Sequence, residues 1–180
     1  FWAAAVGTFG RITMQDALMV YFNGEKNAGL FLAGVGVVAI VAATLMYRSQ
    51  PDLRAFALTL GILALAEIAL GTGLYLRTDP QVNRLVAQLG SEPSRFYSEE
   101  GARMTRVQRT FVVVEYVELA IIIVSSIVVV ALKNRSGLTG VALGLLVNAA
   151  CLLAFDHIAE RRGAVYLAAI EKGALTPPRL

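Results

Sequence analysis

Four long apolar runs dominate the sequence. They cover residues 29–47, 56–76, 111–133 and 138–155. A helix needs roughly 20 mostly apolar residues to cross the hydrocarbon core of a bilayer, and each run is close to that length. Charges or turn residues follow every run, for example "RSQPDLR" after the first and "KNRSG" after the third. The pattern therefore predicts four transmembrane helices.

The composition agrees with a chain that lies in lipid. Hydrophobic residues make up 57% of the sequence and charged residues only 16%, whereas soluble domains have about half and a quarter. The formal charge of +3 is small, and the arginines cluster at the ends of the apolar runs, which favours membrane flanks over a nucleic-acid surface. The single cysteine, Cys151, provides neither a disulfide nor a cysteine metal site. Its apolar surroundings predict a small core residue.

The connections between the runs predict the order of the helices. Very short links join the first run to the second and the third to the fourth, so each pair is expected to form an antiparallel hairpin. Residues 78–109 form a helical cytoplasmic loop in this prediction, with a short helix that has Pro80 in its first turn and ends at Gly90. The segment after Gly90 leads into the third span, with Glu99 and Arg103 spaced for an i, i+4 ion pair. Residues 159–173 keep helical periodicity and extend the fourth helix.

The N-terminal segment, residues 1–22, is apolar but contains Arg11 and Asp16. This pattern predicts an interfacial helix that ends in a turn at Asn23-Gly24. A cleaved signal peptide is the alternative, although the positively charged start of such a peptide is missing. The expected fold class is thus an all-α integral membrane protein of four transmembrane helices in two hairpins, with an interfacial helix and helical cytoplasmic extensions.

The distribution of positive charge predicts the orientation. Four spans place both termini and the loop of residues 78–109 on one side, which then holds twelve of the sixteen lysines and arginines. The remaining four are Arg48, Arg54, Lys133 and Arg135. The positive-inside rule then predicts cytoplasmic termini in a plasma membrane. The lack of disulfides fits a bacterial inner membrane.

Acidic residues inside the apolar runs are the strongest functional signal. Glu67 lies ten residues before Arg77, which is roughly 15 Å inside the flank. Glu115 and Glu118 follow Arg109 by six and nine residues, roughly 9 and 13 Å from the same side. The fourth run is followed by "DHIAE" on that side as well. These positions predict one buried acid cluster in the cytoplasmic half, formed by Glu67, Glu115, Glu118, Asp156 and Glu160.

A metal site is one explanation of the cluster. Dinuclear carboxylate sites in four-helix bundles take a Glu from each of two helices and Glu-x-x-His pairs from the other two. Hard oxygen ligands with one imidazole suit iron or manganese. The pattern here departs from that motif, because the only histidine precedes its glutamate and the first span offers no ligand. The candidate ligands are Glu67, Glu115, Glu118, His157 and Glu160.

Two further explanations stay open. Flanking cations can pair with the acids and so fix the register of the helices, and Asn148 is expected to hydrogen-bond across helices. Alternatively, the depth of Glu67 and Glu118 makes them candidates for proton or cation handling. The candidate charge partners are Lys26, Arg77, Arg106, Arg109, Arg161 and Arg162.

The sequence favours a non-enzymatic function. It contains no nucleotide-binding loop, catalytic triad, haem-attachment motif or HExxH. We therefore expect a small accessory or partner-binding membrane subunit, whose partner is another protein or a second copy and not a nucleic acid. The alternatives are a membrane di-metal carboxylate protein, with iron or manganese and an oxidoreductase activity, and a proton- or cation-conducting subunit.

Overall fold

The computed structural model describes residues 13–132 and 136–175, and the fold is 97% helical. Four helices of 36 to 40 residues follow one another, which at 1.5 Å per residue makes each of them about 54 to 60 Å long. Each helix therefore exceeds the thickness of a hydrocarbon core by a wide margin. The elements are α1 (Met14–Ser49), a 3-10 turn (Pro51–Leu53), α2 (Arg54–Ser91), α3 (Pro93–Ala131) and α4 (Ser136–Leu175).

Helix α1 begins with a capping box. The Thr13 hydroxyl accepts a hydrogen bond from the Asp16 amide at 3.2 Å, and the Asp16 carboxylate accepts one from the Thr13 amide at 3.0 Å. The predicted turn at Asn23-Gly24 is wrong, because α1 continues through these residues without interruption. The backbone there is held by α4, since Arg162 Nη1 donates to the Gly24 carbonyl oxygen at 3.2 Å. Residues 1–12 of the predicted interfacial helix, including Arg11, lie outside the described residues.

The segment predicted as a helical loop consists of extensions of α2 and α3. Helix α2 continues through Pro80 and ends at Ser91, so the prediction of a separate short helix there is wrong. Proline removes one helical hydrogen bond, but Leu85, about one and a half turns later, is only 3% exposed and holds the extension against its neighbours. The chain changes direction at Glu92, and Pro93 occupies the first turn of α3, where a proline is well tolerated.

The helices contact one another as two pairs. Helix α1 packs along α2, and α3 packs along α4, while α4 also touches α2 and α1, and α2 touches α3 to a smaller extent. Within the described ranges, α1 and α3 make no close backbone contact. Residue 29 meets 71 and residue 36 meets 64 in the first pair, and residue 101 meets 170 in the second. Helix α4 therefore provides most of the contact between the two pairs.

Glycines make the first pair possible. A Cβ atom placed on Gly29 would lie 2.6 Å from the Gly71 carbonyl oxygen, and one on Gly36 would lie 2.8 Å from the Ala64 carbonyl oxygen. Both distances are too short for a real side chain. Small residues of this kind allow helix backbones to approach closely, as they do in membrane proteins.

Large buried side chains gather at one end of the molecule. This end, which we call the core end, combines the start of α1 with the end of α2, and the start of α3 with the end of α4. The rings of Tyr21 and Tyr166 stack there with centroids 4.6 Å apart, and Phe96 is fully buried. The core consists of Leu18, Tyr21, Phe22, Leu85, Phe96, Met104, Tyr166 and Ile170.

The rest of the molecule exposes apolar surface. We call it the span region; it comprises the predicted spans as far as the structure describes them, which leaves out Lys133. Only 11% to 22% of the most apolar window of each helix is buried, and all four helices are long and apolar enough to cross a membrane. The prediction of an all-α chain with four long apolar helices is confirmed. Arg135 and Arg179 also lie outside the described residues.

Candidate carboxylate site between α3 and α4

Two i, i+3 pairs face each other across the contact between α3 and α4. Helix α3 carries Glu115 and Glu118, and α4 carries His157 and Glu160; residues with this spacing share one helical face. The register is fixed nearby, because Gln108 Nε2 donates to the Glu160 carbonyl oxygen at 3.2 Å. Helix packing thus brings both pairs to one interface.

Three side chains meet closely at this interface. Glu115, His157 and Glu160 each offer one ligand atom, and these atoms lie within 4.8 Å of one another. His157 Nδ1 is 3.4 Å from a Glu115 carboxylate oxygen and 3.7 Å from a Glu160 carboxylate oxygen. The shorter contact is not a hydrogen bond, because that Glu115 oxygen, although buried, has no hydrogen-bond partner. The His157 side chain is half exposed, so the group can be reached from outside.

A second carboxylate pair lies beside this group. Glu118 is 5% exposed, and its side chain lies close to that of Asp156 on α4. One Glu118 oxygen, Oε2, is buried without a hydrogen-bond partner. Ionised carboxylates only accept hydrogen bonds. A stable contact between these two side chains therefore requires a shared proton or a nearby cation.

The predicted charge partners do not pair with these acids. Lys26 forms its ion pair with Asp79 at 2.6 Å, and Arg162 approaches Glu25 at 3.9 Å. Among residues 13–132 and 136–175, no lysine or arginine lies within 4.0 Å of the four carboxylates at α3 and α4. The other predicted partners form no ion pair with any described acid. These partners are Arg77, Arg106, Arg109 and Arg161.

These arginines do not pair with the acids because their side chains lie on exposed faces of the helices, although they are close enough to the acids along the sequence. These four arginines lie at exposed positions, where water solvates the guanidinium group without any loss of side-chain freedom. Two full negative charges 4.8 Å apart, the limit for the ligand atoms here, repel by roughly 3 kcal/mol at an effective dielectric constant of about 20. The hypothesis of arginine-satisfied acids is therefore wrong for this site, and its carboxylates need either a shared proton or another cation.

Glu67 lies apart from this site. It is buried on α2 and accepts a hydrogen bond from Asn148 Nδ2 of α4, which is the cross-helix bond predicted for Asn148. Glu67 is not part of the three-residue group. Three of the five predicted metal ligands thus meet, with Glu118 adjacent, and the dinuclear arrangement that needs Glu67 is not assembled.

Cys151 is exposed, so its predicted place in the core is wrong. The buried positions of α4 in this region include Asn148 and Ala149. Two residues beyond Ala149, a helix has turned by about 200°. Cys151 therefore faces away from the other helices, as an apolar run alone cannot reveal.

Sequence reasoning missed the buried ion pair of the core end. Glu100 is 2% exposed and accepts two hydrogen bonds from Arg103, at 2.7 and 2.6 Å. The predicted partner of Arg103, Glu99, instead accepts from Arg95 at 2.7 Å. The i, i+3 spacing of Glu100 and Arg103 was a usable signal, but two adjacent glutamates left the choice open. The Tyr21 side chain is buried beside this pair, and its burial raises the pKa of Tyr21 to about 12.

A cleft separates the two helix pairs. Its volume is about 450 Å³, all four helices line it, and most of the lining is apolar. The polar lining comes from Glu25, Arg77 and Asp156; burial raises the pKa of the Glu25 carboxyl, and the Arg162 guanidinium opposes that shift. A smaller cavity of about 100 Å³ shares Glu25 and Arg77 in its lining.

Comparison of the chain with protein-family models, with curated proteins and with solved structures found no match. The fold places it in the class of all-α proteins with four long apolar helices. The geometry of its carboxylate site and its cleft is what bears on function.

Proposed function

We propose that this protein is a non-enzymatic subunit of the plasma membrane, of a bacterial inner membrane in particular, that binds another transmembrane helix. The four helices cross the bilayer as two antiparallel hairpins, and the core end and both termini lie in the cytoplasm. Support comes from the exposed apolar surface of every helix and from the twelve positive residues expected on the side of the termini. The interior of a bilayer is the solvent such a surface requires.

The observation that carries partner binding is the open cleft between the helix pairs. Along the exposed side of α2, Ala66, Ala69 and Gly73 form a row of small residues, and Ala69 and Gly73 line the cleft. A Cβ atom placed on Gly73 would meet no neighbouring atom within 4 Å. Small residues elsewhere on α2 receive α1 at close range, as at Gly71. A second row without a helix against it supports a binding surface for one more helix.

Site-specific photo-crosslinking in native membranes tests this proposal. A photoreactive amino acid replaces Leu70, which lines the cleft and is 68% exposed. The matched control replaces Val38 of α1, which is 69% exposed but outside the cleft lining. We expect a protein adduct from position 70 and none from position 38, because only the first faces the bound helix.

The mass of the adduct identifies the partner. Twice the mass of the chain indicates a second copy, and any other mass indicates a different protein. Equal adduct yields from positions 70 and 38, or lipid adducts alone from both, would contradict partner binding in the cleft.

A further inference from the structure

We propose that Glu115, His157 and Glu160 bind one divalent transition-metal ion at the interface of α3 and α4. The site lies on the second helix pair and does not depend on a partner in the cleft. Its ligands come from two helices, so a bound ion would also clamp α3 to α4.

The spacing of the ligand atoms suits a single ion. Bonds of about 2.1 Å to oxygen and nitrogen ligands place neighbouring ligand atoms roughly 3.0 to 3.5 Å apart. His157 Nδ1 is 3.4 Å from Glu115 and 3.7 Å from Glu160, and all three ligand atoms lie within 4.8 Å of one another. Small changes of side-chain torsion are enough to bring the three atoms onto one ion.

The surroundings of the group contain further carboxylates, which need either a shared proton or a nearby cation. Glu118 is 5% exposed, its Oε2 atom has no hydrogen-bond partner, and it faces Asp156 and Glu115. In the part of the chain that the structure describes, no lysine or arginine pairs with any of these carboxylates. A divalent ion at the three-residue group would offset the negative charge of these carboxylates.

The ligand set selects the kind of metal. Carboxylate oxygens and water suit Mg²⁺, Ca²⁺ and Mn²⁺, whereas an imidazole nitrogen suits first-row transition metals such as Fe²⁺ and Zn²⁺. The mixed set of two carboxylates and one imidazole therefore favours a first-row transition ion that also accepts oxygen ligands, as Mn²⁺ does. Copper(I) prefers thiolates and thioethers, and Cys151 does not belong to the group. Since His157 is half exposed, water can fill the remaining coordination positions. We therefore assign the site to Mn²⁺ or a similar first-row ion.

Titration of the full-length, detergent-purified chain with Mn²⁺ alone tests the assignment. The protein is purified without a histidine tag, treated with chelator and exchanged into metal-free buffer. Free Mn²⁺ is then measured from its electron paramagnetic resonance signal. We expect saturable uptake of about one ion per chain, with a nitrogen coupling from His157 in the pulsed spectrum of the bound ion.

Variants connect the uptake to the three residues. Glu115→Gln and His157→Asn should each weaken Mn²⁺ binding by at least about tenfold, because even the loss of a group that only orients a ligand has an effect of that size. His157→Asn should also abolish the nitrogen coupling. Glu171→Gln, an exposed glutamate on the same helix, should bind like the wild type. So should Glu67→Gln, which separates this site from the five-ligand cluster expected from the sequence.

Circular dichroism shows whether each variant folds. If Glu115→Gln or His157→Asn does not fold, Glu160→Gln takes its place. The proposal is overturned if the folded wild type takes up no saturable Mn²⁺, or if both ligand variants bind like the Glu171→Gln control.

Discussion

The core end and the span region of this protein pack in opposite ways. At the core end, large side chains such as Leu18 and Phe96 are completely buried, and the buried Glu100 is paired with Arg103. In the span region the buried contacts use small residues such as Gly29 and Gly71, whereas large side chains point outward. Water drives apolar side chains together, but lipid provides no such force between helices. Water around the core end and lipid around the span region would together produce this difference in packing.

Two leucines of α1 test this contrast with the largest expected effect. Leu18 is fully buried at the core end, and Leu30 is 61% exposed in the span region. Leu18→Ala should lower the free energy of unfolding by roughly 3 to 5 kcal/mol, because it removes buried contacts and leaves a cavity. Leu30→Ala should lower it by less than about 1 kcal/mol, as exposed positions usually do. Unfolding in mixed micelles, followed by circular dichroism, measures both values.

Equal destabilisation by the two alanine variants would contradict the contrast, because it would mean that Leu30 is covered in the folded protein.

The buried ion pair gives the next largest effect. Arg103→Met should lower the free energy of unfolding by about 3 kcal/mol, because it leaves the nearly inaccessible Glu100 without its partner. The double variant Arg103→Met, Glu100→Met should regain most of this loss, since no charge is then buried alone. Chemical unfolding of the three proteins provides the measurement. A double variant as unstable as the single one would show that Arg103 acts through packing instead of charge.

The four apolar helices could be predicted because the length of an apolar run is nearly sufficient to define a span. The interruptions could not. Asn23-Gly24 is a turn signal by local preference, but α1 continues through it, and Arg162, far away in sequence, binds the Gly24 carbonyl oxygen there. Pro80 similarly predicts a new helix, yet α2 continues through it. In both places a tertiary contact outweighs a local signal of about 1 to 3 kcal/mol.

The candidate site was predictable to the extent that spacing along one helix determines it. Glu115 and Glu118 share a face, and so do His157 and Glu160, which is why their convergence followed from the sequence. Glu67 was expected in the same cluster because its depth is similar. Depth does not give the direction of a side chain around the helix axis, and Glu67 in fact meets Asn148. The flanking arginines were expected to reach the acids for the same reason, because their positions along the sequence do not give the direction of their side chains.

A pair of glycines on α1 tests the packing of the span region. A Cβ atom at Gly29 would lie 2.6 Å from the Gly71 carbonyl oxygen, whereas one at Gly34 meets nothing within 4 Å. Gly29→Ala should therefore lower the free energy of unfolding by about 1 to 3 kcal/mol, since backbones must separate. Gly34→Ala should leave it unchanged or raise it by about 0.5 to 1 kcal/mol through helix propensity. Unfolding in mixed micelles measures both, and a loss for Gly34→Ala would indicate a helix packed against that face.

The smallest effect is expected from the exposed ion pairs of the core end. Hydrogen bonds from Arg95 and then Gln88 hold the pKa of the Glu99 carboxyl below its ordinary value of 4.5. A lowered pKa means that Glu99 stabilises the fold above pH 4.5 and that this contribution disappears as pH falls through the folded-state pKa. The melting temperature of the wild type should exceed that of Glu99→Gln slightly at pH 7, and the difference should vanish in acid and shrink in high salt. A difference independent of pH would show that the amide changes packing and that the charge of Glu99 contributes nothing. The loss of stability in Arg103→Met, in contrast, should persist in high salt, because its partner Glu100 is buried.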